Sequence, residues 1–194
     1  MRLDWNNRTA CIIASGPSLT HEQVDCAEQS GAAIIVINNN WQICLGADVL
    51  YACDARWWQF YGGVPMFRGV KYSLEYSGYP DVFQLHNSGS DGIDLDWPNI
   101  KTGCNGGYQA INLAVHFGCR RIILIGYDMQ HTGGKSHWHG DHPQGLNNAQ
   151  RVESWIPFYD DLAVELKKIG VEVINCTIET ALKCFPRADL REAL

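Results

Sequence analysis

The densest chemistry in the 194-residue chain lies between residues 131 and 143, where His131 is followed by Ser136-His137-Trp138-His139-Gly140-Asp141-His142-Pro143. Two imidazoles two residues apart, a third three residues on and a carboxylate between could bind a transition metal through His137, His139 and His142. The spacing is not that of a recognised zinc motif, so a general base is the favoured reading. An imidazole titrates near neutral pH, which suits His139 or His142 to take a proton from an acceptor hydroxyl. The plain alternative is a solvated loop whose histidines do nothing together.

A second signal is the apolar run Cys11-Ile12-Ile13-Ala14 entering Ser15-Gly16-Pro17-Ser18-Leu19. The run lacks polar alternation, as does a strand buried on both faces, and the turn feeds helix-compatible sequence. Gly16 permits positive φ and close approach of a ligand, Pro17 suits a first helical turn, and Ser18 or Thr20 can cap it. Such a helix start offers free N–H groups and partial positive charge to a phosphate, although an ordinary β-turn-α connection has the same sequence. Thr102-Gly103-Cys104-Asn105-Gly106-Gly107 precedes another helical stretch. It would present amides to a phosphate or pack closely on a strand.

These residues need a scaffold. Runs at 33–37, 49–52, 122–125 and 171–174 are rich in β-branched residues and do not alternate, the mark of parallel strands covered on both sides. Helical patterns fall at 21–29, at 108–117 and from about 148 to 169, where Val152, Trp155, Tyr159, Leu162 and Leu166 form part of an apolar stripe that Gly170 ends. The alternation predicts a single α/β domain over 1–194, Rossmann-like and doubly wound, with a mostly parallel sheet and helices on both faces.

Ligands of such sheets bind beyond the carboxyl ends of the strands. Those ends read Ser15-Gly16-Pro17-Ser18, Asn38-Asn39-Asn40, Asp54-Ala55-Arg56, Gly126-Tyr127-Asp128 and Asn175-Cys176-Thr177. A single polar end is ordinary turn chemistry, but five on one edge suggest a site. Two segments do not fit the repeat. One is 62–105, with short strand candidates at 70–74 and 82–85; the other is 129–148, a His- and Gly-rich stretch suited to an irregular lid over an active site.

With 46% apolar and 19% charged residues the composition is globular rather than disordered. No stretch approaches the roughly 20 apolar residues of a membrane span and the first residues have no signal-peptide core, so a cytoplasmic location without a membrane span is expected. The eight cysteines form no Cys-x-x-Cys pair and read as buried, reduced thiols, which agrees. A net charge of −6 gives no general attraction to nucleic acid. Trp57, Trp58, Tyr61 and Trp138 lie among polar residues and are either core or the lining of a sugar or base pocket.

Taken in order, Ile12-Ile13-Ala14-Ser15-Gly16-Pro17-Ser18-Leu19, Ile37-Asn38-Asn39, Gly106-Gly107 before a helix, Ile123-Leu124-Ile125-Gly126-Tyr127-Asp128 and the His-rich loop resemble one superfamily. It joins bacterial lipo-oligosaccharide sialyltransferases to archaeal 6-hydroxymethylpterin diphosphokinase-like proteins. The stretch from Asn175-Cys176-Thr177 through Cys184-Phe185-Pro186-Arg187 is similar to that of its small phage-encoded members.

The resemblance implies a nucleotide-dependent transferase, glycosyltransferase-like, that moves a sugar from a nucleotide donor to a hydroxyl of a small-molecule or glycan acceptor. Ser15, Gly16, Pro17, Ser18, Asn38 and Asn39 would cradle the nucleotide, with Asp54 and Asn105 beside them. Gly106 and Gly107 would approach its phosphates, Asp128 would bind ribose, metal or acceptor, and His139 or His142 would be the base. Ser15 stands where the sialyltransferases have asparagine, and their tyrosine pair has no counterpart after Asp128. The diphosphokinase branch implies instead a nucleoside triphosphate with Mg²⁺ held by Asp54 or Asp128. Another reading is a non-catalytic phage binding or virion-associated protein that keeps the fold, and a further one makes the histidine loop a metal site for hydrolysis. If phage-encoded, the chain is expected in the host cytoplasm, and a homo-oligomer is among the expected forms.

Overall fold

A computed structural model describes residues 1–146 and 151–194. In chain order the elements are β1 (Thr9–Ile13), α1 (His21–Gln29), β2 (Ala33–Ile37), β3 (Val49–Tyr51), α2 (Ala55–Phe60), β4 (Val70–Ser73), β5 (Val82–Gln84), β6 (His86–Asn87) and β7 (Asn99–Ile100). They continue with α3 (Gly106–His116), β8 (Arg121–Ile125), α4 (Ile156–Lys168), β9 (Glu172–Asn175) and α5 (Leu190–Ala193). Seven strands form one sheet in the order β5-β4-β3-β2-β1-β8-β9, and β6 pairs with β7 separately. Every pairing in the main sheet is parallel, so "mostly parallel" understates it.

The apolar runs explain the layering. Successive side chains of a strand point to opposite faces, and both faces here are apolar. Ile12, Ile35 and Leu124 pack on one face with Tyr108, Ile111 and Leu162 of α3 and α4. Cys11, Ile13, Val36 and Ile125 pack on the other with Val24, Trp57, Trp58 and Leu190 of α1, α2 and α5. Each fully buried Ile or Leu contributes about 1.5–3 kcal/mol by removal from water. The doubly wound α/β architecture follows from burying such strands on both sides.

The first part of the segment 62–105 belongs to this sheet, while β6 and β7 within it pair only with each other. Both short strand candidates within it form, as β4 and β5, and extend the parallel edge, joined by residues 74–81 without a helix. Lys71 hides this in the sequence, because a charged residue interrupts the β4 run. It is buried, with Nζ 2.8 Å from the Gly63 carbonyl and 2.5 Å from an Asp81 carboxylate oxygen. Trp57 and Trp58 are core: α2 carries them inward, and their indole N–H groups donate to Asn39 Oδ1 and the Ala52 carbonyl. The helix expected from about residue 148 begins outside the described residues; from Val152 there is a 3₁₀ turn to Trp155, and α4 starts with Pro157 in its first turn, where a missing N–H costs nothing.

All eight cysteines are free, but Cys104 is exposed, against the expectation that they are buried. Among the described residues no helix is long and apolar enough to cross a membrane. The strand order reverses between β1 and β8, since the chain leaves β1 for β2 on one side while β8 lies on the other. A crevice opens there at the carboxyl ends.

Candidate functional site

The Ser15-Gly16-Pro17-Ser18 turn lies at this crevice, but not as an open anion nest. Helix α1 begins four residues after Pro17, at His21, and its cap is Thr20, whose Oγ1 accepts from the Gln23 amide at 3.2 Å. Pro17 is therefore outside the first helical turn. The amide and hydroxyl of Ser18 both donate to the Asp128 carboxylate at 2.9 Å, and the Thr132 hydroxyl adds a third bond at 2.7 Å. Gly16 is glycine because a Cβ would stand 2.0 Å from Asp128 Oδ1 and 2.4 Å from the Gly126 carbonyl. It makes room for the protein's own carboxylate, not for a ligand. Burial raises the pKa of Asp128, and its hydrogen bonds from Thr132 and Ser18 pull it down.

The three asparagines after β2 divide the work. Asn38 takes a left-handed conformation, φ 49°, at the edge of the crevice. Asn39 turns inward and is taken up by the Trp57 indole. Asn40, fully buried, donates from Nδ2 to the Ile13 carbonyl at 2.7 Å and accepts at Oδ1 from the Trp138 indole N–H, also at 2.7 Å. The Trp138 amide donates to the Ser15 carbonyl. Two bonds thus pin the middle of the His-rich loop, one to the β1 turn at Ser15 and one to Asn40 after β2. At the β9 end Asn175 and Thr177 are buried and serve the backbone: Thr177 Oγ1 accepts from the Tyr127 amide and Asn175 Oδ1 from the Thr177 amide.

Across the crevice, α3 starts in the way expected of an anion site. Asn105 caps it, accepting from the Tyr108 amide at 3.0 Å and the Tyr159 hydroxyl at 2.8 Å. The first amides of a helix have no partner within it, which leaves those of Gly106 and Gly107 for a ligand. Gly107 also has to be small, since a Cβ would lie 2.8 Å from both the Tyr127 ring and the Tyr159 oxygen.

Between these walls is a cavity of about 390 Å³. It is lined by Ser15, Gly16, Pro17, Asn38, Asp54 and Asp128 from the strand ends, by Asn105, Gly106 and Gly107 from α3, and by His137 and His142 from the loop. Of the residues given a binding or catalytic role from the sequence, Ser18, Asn39 and His139 do not line it, and of the other strand-end residues neither do Asn40, Arg56, Tyr127, Asn175 and Thr177. Burial and the nearby Glu75 raise the pKa of Asp54. Gln109, Cys104 and Trp155 also line the cavity without having been anticipated. Gln109 sits one helical turn after Asn105 and accepts from the Tyr51 hydroxyl at 2.6 Å, a pairing with no local signal.

His137, His139 and His142 converge, with ring centroids 4.8–5.1 Å apart. Burial first, and then the neighbouring imidazoles, lowers the pKa of His137 to about 4; burial and His142 do the same for His139. Burial lowers that of His142 too, against Asp141. The rings are therefore neutral at pH 7, able to accept a proton or a metal. His131 is exposed and is not one of the three converging rings, although it lies near enough to add to the lowering at His137. No family model, curated protein or solved structure matches the chain.

Proposed function

We propose that this protein is a nucleotide-dependent transferase whose donor lies in the crevice between β1 and β8. The observation that carries the reading is the cavity itself: one end is the glycine start of α3 and the other is a loop of neutral imidazoles. Phosphates of the donor would meet the Gly106 and Gly107 amides, where the helix dipole favours negative charge. Ser15 and Asn38 would meet the nucleoside. Asp128, with three of its acceptor sites taken by Ser18 and Thr132, positions the β1 turn at the cavity wall. Acceptor activation falls to the imidazoles that face the cavity, with His142 the residue of choice over His139. A sugar nucleotide and a glycan or small-molecule hydroxyl fit this division of the cavity.

The presence of Asp54 on the same wall favours a second reading, diphosphoryl transfer from a nucleoside triphosphate with Mg²⁺ between that carboxylate and the phosphates. A thermal-shift panel of CMP, CDP, UDP and ATP, each with and without Mg²⁺, tests both. A ligand held at 100 times its Kd stabilises the native state by about 2.7 kcal/mol and raises the melting temperature. Stabilisation by a cytidine or uridine nucleotide without Mg²⁺ supports the first reading, and stabilisation by ATP only with Mg²⁺ supports the second. No response at millimolar concentration overturns both.

A further inference from the structure

We propose that His137, His139 and His142 form a three-imidazole site for a divalent transition metal, zinc by its chemistry, on the wall of the cavity. One ligand nitrogen from each ring lies within 4.8 Å of the other two. Tetrahedral zinc with Zn–N bonds of 2.0–2.1 Å spaces its nitrogens about 3.4 Å apart, so the rings need to close by little more than 1 Å. Among the described residues this is the group of three or more potential metal ligands that converges.

The second observation is the state of the nitrogens. Nε2 of His137 and Nε2 of His139 are buried and make no hydrogen bond. A buried polar atom without a partner costs about 1–3 kcal/mol, and two side by side call for something between them. Protonation does not answer, since it would place like charges on rings 5.1 Å apart. A cation that takes lone pairs does. The Ser15 backbone next to His137 favours the charged form of its ring, and a backbone group beside the second ring nitrogen is what orients imidazole ligands.

The loop is built to hold this arrangement. Trp138 is fixed by Ser15 and Asn40 between two of the ligands. Gly140, at φ 84°, closes a turn through its amide to the His137 carbonyl at 3.1 Å, and the chain doubles back to bring in His142. Three nitrogen donors without a carboxylate suit zinc, cobalt, nickel or copper and not magnesium or calcium. Three protein ligands leave a coordination position open, and His137 and His142 line the cavity, so an oxygen ligand can reach the ion from that side. The site rests on the cluster alone and not on the nucleotide reading; a bound metal would take over acceptor activation from a free imidazole.

The test uses the full chain, free of affinity-tag histidines, stripped with a chelator and titrated with Zn²⁺ and separately with Co²⁺, without nucleotide. We expect one ion per chain and, for Co²⁺, the visible absorption of a tetrahedral site. His139→Ala, away from the cavity, should weaken Zn²⁺ by more than the about 10- to 100-fold that outer partners of a metal ligand are worth. His131→Ala should not weaken it. Circular dichroism checks that the variants fold. In the unaltered chain, Zn²⁺ should protect His137, His139 and His142 from diethylpyrocarbonate and leave His131 reactive, a readout that needs no variant. Failure of the native chain to take up either ion at tens of micromolar, or equal uptake by His139→Ala, overturns the proposal. Neither result bears on the nucleotide panel.

Discussion

Ser18 donates both its backbone amide and its hydroxyl to the carboxylate of Asp128, each at 2.9 Å, across 110 residues of sequence. The turn after β1 and the loop after β8 are thereby one structure, with Thr132 tying the start of the His-rich loop to the same carboxylate. The carboxylate sits where a phosphate would sit on a helix-start turn. This moves the expected phosphate contact from the β1 turn to α3.

Asp128→Ala removes three hydrogen bonds to a charged acceptor and strands the Ser18 amide. A loss of about 3 kcal/mol is expected, read as a lower urea midpoint at unchanged m. Gly16→Ala should also destabilise, and combining it with Asp128→Ala should not rescue it, because the Gly126 carbonyl would still stand 2.4 Å from the new Cβ. Recovery in the double variant would show that the carboxylate alone makes Gly16 necessary.

The two glycines that open α3 should respond differently to alanine. Gly107→Ala drives a methyl into the Tyr127 ring and the Tyr159 hydroxyl, both at 2.8 Å, and overpacking of this kind costs about 1–3 kcal/mol. At Gly106 the nearest atom is Ile37 Cγ2 at 3.2 Å, so a side chain needs only a small shift and alanine should be close to neutral. Thermal unfolding of the two variants checks the order, and equal losses would contradict this packing.

The metal-free protein should lose stability in mild acid. His137 and His139 have pKa values lowered from 6.5 to about 4 by burial, so between those values the unfolded chain binds protons that the folded chain excludes. Their contribution is complete above about pH 6.5 and is lost as pH falls toward 4. Melting temperatures measured in chelator should fall over that interval, and His137→Ala/His139→Ala should flatten the fall. An unchanged profile in the double variant would place the titration elsewhere.

Cys104 should be the cysteine that maleimide reaches first. It is exposed at the cavity mouth, while burial raises the thiol pKa of Cys53, Cys119 and Cys184 to about 12 and of Cys176 to about 11. Peptide mapping should find the first adduct there, and a nucleotide that fills the cavity should slow it. Labelling that ignores a bound nucleotide would place that nucleotide outside the cavity.

The strands were legible because an unalternating apolar run such as Ala33–Ile37 has few ways to bury both faces other than the middle of a parallel sheet. The polar residues at the strand ends could be read for the same reason: topology puts them on one edge whatever their details. What each does there was not legible. Asn38, Asn39 and Asn40 are the same residue type in succession, yet one faces the crevice, one holds Trp57 and one holds Trp138. Gly16 looked like room for a ligand until Asp128 was seen to occupy it. Local composition and period determine which segments become strands and helices, because those preferences act over a few residues. The partners of Asp128 and Asn40 and the convergence of His137, His139 and His142 depend on where distant segments meet, and only the packed tertiary structure decides that.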